Sequence, residues 1–62
     1  MSIQYAIDNR TTEDVIVVAF LNWKEHVLYD SRKTPNDIPL ALTDYPVEGI
    51  HVLDDNLTMI EI

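Results

Sequence analysis

Residues 15–21, VIVVAFL, are apolar at seven consecutive positions and lead into Asn22 and Trp23. A helix would spread these side chains around its circumference, and a strand would put them on both of its faces. The chain has 62 residues, and a domain near that size buries only about 60% of the surface its unfolded chain exposes. The question is therefore one of cover: either one small core absorbs the whole run, or part of it faces another molecule.

Small folds usually supplement a thin core with disulfides, a structural metal or association. There is no Cys, which closes the disulfide route and removes the thiolate zinc sites with it. Association remains open. The apolar share of 47% is ordinary for a folded protein, whereas disorder requires low hydrophobicity alongside charge. A single folded domain over residues 1–62 is expected.

Two secondary structures compete for residues 12–31. For a helix, Thr11 or Thr12 can cap, Glu13 and Asp14 sit in the first turn, Arg32 and Lys33 lie near the far end, and Pro35 blocks continuation. Against it stand Val15, Ile16, Val17 and Val18, whose β-branched side chains favour a strand. The capping and charge order favours the helix. Ile16, Phe20, Trp23 and Val27 would then form a core stripe, and Val17, Leu21 and Leu28 a second stripe roughly 100° around the axis. One sheet covers one face of a helix, so this second stripe would need a partner. On the alternative, a hairpin turning at NWKE, the run becomes a central strand that needs cover on both sides.

Elsewhere SIQYAI alternates like a strand, SRKTPNDIP reads as loop, and PLAL suits a short edge strand. Asp44-Tyr45-Pro46 marks a turn. IHVL, Asp54-Asp55-Asn56 and LTMIEI form the clearest hairpin, ending in an apolar strand. The fold class expected is α+β, a small antiparallel sheet of three to four strands with one helix on a face; the alternative is an all-β barrel or sandwich.

Charge divides the chain unevenly. Residues 1–33 hold five acids against four bases, while residues 34–62 hold six acids and no Lys or Arg, within a total of −7. Such a field repels phosphate backbones and anionic membranes and attracts basic proteins. Direct nucleic-acid binding is excluded on the same ground, because phosphate contacts need Lys and Arg. The N-terminus shows no basic-then-apolar leader, and no apolar run approaches the roughly 20 residues that span a bilayer. A soluble cytoplasmic protein is expected, and the sequons at Asn9 and Asn56 are then without consequence.

Catalytic machinery is sparse. With one Gly, no Cys and two His, neither a phosphate-cradling loop nor an activated nucleophile is indicated. His26 and Asp30 would share a helix face, but two ligands are too few for zinc, and Asp54-Asp55-Asn56 lacks the spacing of a calcium loop. No catalytic residue, metal or cofactor is expected. The sequence points to a binding protein, most concretely an inhibitor, of a kind bacteriophages encode, that occupies a basic nucleic-acid-binding or defence protein by phosphate mimicry. Its expected contact residues are Asp37, Asp44, Glu48, Asp54, Asp55 and Glu61, with Val17, Leu21 and Leu28 joining a homodimer. The alternatives are an adaptor subunit of a larger assembly and an antitoxin-like partner.

Overall fold

In the computed structural model, which describes residues 1–33 and 38–62, the apolar run is a strand. The elements are α1 (Ile3–Asp8), β1 (Asp14–Leu21), β2 (Lys24–Asp30), α2 (Leu40–Thr43), β3 (Gly49–Asp54) and β4 (Leu57–Glu61). Residues 12–31 therefore form a hairpin and not the expected helix. The stiff side chains of Val15–Val18 outweigh end signals that would each contribute about 1 kcal/mol or less. Two residues, Asn22 and Trp23, make the turn, a tighter loop than the NWKE turn of the hairpin alternative.

The N-terminal segment departs from expectation in the opposite direction. SIQYAI is the helix α1, because Ser2 accepts a hydrogen bond from the Tyr5 amide on its Oγ at 3.2 Å and so caps the first turn. Ile3, Ala6 and Ile7 fit one helical face as well as Ile3 and Ile7 fit a strand, so a segment this short carries both periodicities. Asn9 closes the far end, its amide and its Nδ2 both donating to the Tyr5 carbonyl at 3.1 and 2.9 Å. PLAL is likewise a single helical turn, entered from Pro39, whose fixed φ suits a helix start.

The four strands form one sheet in the order β2-β1-β4-β3. β1 and β2 are antiparallel, as are β3 and β4, but β1 and β4 run parallel, pairing Val15 with Thr58 and Val17 with Ile60. The sheet is mixed, not antiparallel throughout. Where the parallel strands begin, the Asp14 amide donates to the Asn56 carbonyl at 2.8 Å. Beside it the Thr12 hydroxyl donates to the Asp14 carbonyl at 2.9 Å. Having spent its one proton there, Thr12 must accept from the buried Thr58 hydroxyl, 2.6 Å away.

The core lies on one side of this sheet. Val15, Val17, Tyr29 and Ile60 point towards Ile3 and Ala6 of α1, with Ile7, Leu42 and Val47 packed around them. The segment before α1 is strapped down by residues 45–47: the Ile3 amide donates to the Tyr45 carbonyl at 3.0 Å and the Val47 amide to the Met1 carbonyl at 2.9 Å. Both helices thus spend their apolar surface on the same sheet face.

Candidate protein-binding surface

Side chains alternate across a strand, so Ile16, Val18 and Phe20 of β1 project to the face opposite the core. Their strand partners place Asp30 and Met59 beside Ile16, Val27 and Glu61 beside Val18, and Glu25 beside Phe20. Neither Ile16 nor Val18 belongs to the cluster under α1, and no described helix lies over them. Ile16 and Val18 are themselves buried, whereas Phe20, Val27, Leu28 and Leu53 are exposed. A bulge on β2, where Val17 and Val18 pair with Tyr29 and Val27, leaves Leu28 as the extra residue.

This bare face continues into the tip of the β1–β2 hairpin. Asn22 and Trp23 have φ of 53° and 64°, both in the left-handed region, as a two-residue primed turn requires. Asn tolerates that conformation and Gly is the usual second residue; a bulky L side chain there carries a cost of about 1–2 kcal/mol. The indole is fully exposed, with Phe20 at 52% and Leu21 at 61% beside it along β1. Phe20, Asn22 and Trp23 together line a shallow concavity. An aromatic side chain is thus held away from the protein at the expense of the turn that carries it.

These positions revise the expected stripes. Phe20, Trp23 and Val27, expected in the core, are exposed, and of their group Ile16 is buried. Val17, expected at a dimer interface, is fully buried in the core. It shares no surface with Leu21, at the hairpin tip, or with Leu28, on the bulge of the outer strand. The helical spacing that grouped Val17, Leu21 and Leu28 does not exist in a hairpin.

The expected acidic contacts fall into separate places. Asp54 and Asp55 lie at the β3–β4 turn, where the Asn56 amide donates to Asp54 Oδ1 at 2.7 Å. Glu48 and Glu61 lie at the other end of the same hairpin, joined through the Glu48 amide and the Glu61 carbonyl at 2.7 Å. The rise of the strand separates the two ends by about 17 Å. Asp44 caps the C-terminus of α2, and Asp37 is outside the described residues. Within the described residues these carboxylates make two ends of a hairpin and not one continuous row.

The neighbouring positive charge is committed. Arg32 donates from Nε and Nη2 to Asp30 Oδ1 and Oδ2 at 3.0 and 2.9 Å, and its amide adds a third bond to Oδ1 at 2.9 Å. These hydrogen bonds, ahead of the nearby positive charges, hold the buried Asp30 carboxyl below the usual carboxylate range. Arg32 also feels Asp14 and Asp54. His26 and Asp30, set four residues apart on a strand, are not the neighbours a helix would make them. Among the described residues no group of three or more His, Asp or Glu is placed to hold a metal ion, and no helix is long and apolar enough to cross a membrane.

No protein-family model matches the chain, and no curated protein or solved structure is significantly similar to it.

Proposed function

We propose that this chain is a binding protein without catalytic chemistry, one that occupies the surface of a basic protein and engages it through the β1–β2 hairpin tip and the bare sheet face behind it. Trp23 is the observation that carries the reading. Its exposed indole costs the turn stability, and tryptophan is the residue most enriched where binding energy concentrates. The net charge of −7 favours a basic partner and speeds its approach. A nucleic-acid-binding protein answers that description. The mode we favour is apolar anchoring with electrostatic steering; imitation of a phosphate row is less well served by carboxylates gathered at two ends of a hairpin.

The test separates folding from binding in one position. Trp23→Gly gives the turn the residue it prefers, so the variant is expected to unfold about 1 kcal/mol less readily. The same change is expected to abolish cross-linking to basic proteins by a photoreactive group on Asn22 in a lysate of the source cells. If the photoreactive protein links only to itself, the surface joins two copies of the chain. If Trp23→Gly leaves its adducts unchanged, the anchor reading fails.

A further inference from the structure

A second surface, independent of the Trp23 tip, lies at the other edge of the sheet. β3 is an outer strand, and its sequence GIHVLD contains no Lys, Arg or Pro, the residues that usually blunt such an edge. The other outer strand, β2, begins Lys24-Glu25 and is bulged in its middle at Leu28, whereas the irregularity in β3 lies next to its turn, between Val52 and Asp54. The direction of the free backbone groups follows from the ladder. Asn56 and Ile62 bond across to β1 through the Asn56 carbonyl and the Ile62 amide, so even-numbered residues of β4 face β1 and odd-numbered ones face β3. Met59 and Glu61 pair with His51 and Gly49, which leaves the amides and carbonyls of Ile50 and Val52 directed outward, away from the sheet.

Beside this edge runs a mostly apolar groove of about 290 Å³ on the core side of the sheet, between β3 and α1, lined by Met1, Tyr5, Ala6, Ile50, Val52 and Thr58, with Asn9, Arg10 and Thr11 also in its wall; the Arg10 guanidinium there bonds the Ile7 and Glu13 carbonyls. Helix α1 packs over β1 and β4 and leaves Ile50, Val52, Met1 and Tyr5 exposed. Residues of an added strand opposite Ile50 and Val52 would point to the same side of the sheet as those two, and so into the groove.

We propose that β3 accepts an extended segment of a partner protein as a fifth strand, apolar at alternate positions and basic at its ends. Charge selects this occupant. Glu48 precedes β3, Asp54 ends it, and Asp55 follows, so an incoming strand meets carboxylates at both termini. A second copy pairing antiparallel through β3 would set Glu48 of each chain against Asp54 and Asp55 of the other, three like charges gathered at each end of the pair. Self-pairing is disfavoured by the same groups that attract a basic strand. Backbone pairing supplies affinity here, and the groove supplies selection for alternate side chains.

The probe is a short synthetic peptide in which valine and threonine alternate between lysine pairs, compared with the same peptide carrying glutamates in place of the lysines. Binding is followed by amide NMR and hydrogen exchange on the full chain. The lysine peptide is expected to protect the Ile50 and Val52 amides and shift Tyr5, and the glutamate peptide to bind at least about ten-fold more weakly. Tyr5→Ala, a change at an exposed position, is expected to weaken the peptide with the fold intact, and Trp23→Gly to leave its binding unchanged. Shifts confined to residues 20–28, equal binding of both peptides, or no protection at Ile50 and Val52 would each overturn the proposal; the last two leave Trp23 as an anchor untouched, and the first would favour it.

Discussion

Asp30 shows how far one side chain can tie local electrostatics to stability. It is a nearly buried carboxylate held by the Arg32 guanidinium and amide. Its carboxyl titrates lower in the folded chain than the ordinary value near 3.9, so its contribution is complete above that value and is lost as pH falls through the lowered one. Asp30→Asn is accordingly expected to be less stable than the parent at neutral pH, with the two urea midpoints converging as pH falls through the lowered value. Thr58 offers a second check. Thr58→Val keeps the shape and removes the donor to Thr12, with an expected loss of about 1–2 kcal/mol in urea unfolding. Neither residue could be singled out from the sequence: Asp30 stood there as half of a helical pair with His26, and the partners of Thr12 and Thr58 lie 46 positions apart.

At the scale of elements, the hairpin of β3 and β4 was legible because alternation, a polar turn and length all agreed, although the turn is Asp55-Asn56 and not the three residues from Asp54. The β1–β2 hairpin was present as the less favoured reading. There the capping and charge signals pointed one way and the β-branched side chains the other, and long-range pairing with β4 decided between them. The α1 segment misled for a different reason, since six residues cannot separate a period of two from one of 3.6. What the sequence did convey was the surplus of apolar surface, and the structure divides it between the hairpin tip with Phe20, Trp23 and Val27 and the β3 edge with Ile50 and Val52. Substitutions along β1 should follow this division. Val17→Ala, in the core, is expected to cost about 1–3 kcal/mol, while Leu21→Ser, at the exposed tip, is expected to change stability by less than about 0.5 kcal/mol. Chemical denaturation of the two variants measures the contrast.

For the whole molecule, a charge of −7 on 62 residues is a self-repulsion that the folded state concentrates. Raising salt from about 20 to about 300 mM is expected to raise the thermal midpoint, since screening relieves that repulsion more in the compact state. A flat response would show that local pairs such as Arg32–Asp30 already balance the field. The order of strands carries a further consequence. β4 follows β1, β2 and β3 in the chain yet lies between β1 and β3, so the two hairpins have no backbone contact in the sheet except through it. A nascent chain leaving the ribosome can therefore close β1 on β2 at once, but the opposite edge of the greasy β1 stays open until Leu57–Glu61 emerges, the last of the strands to be made.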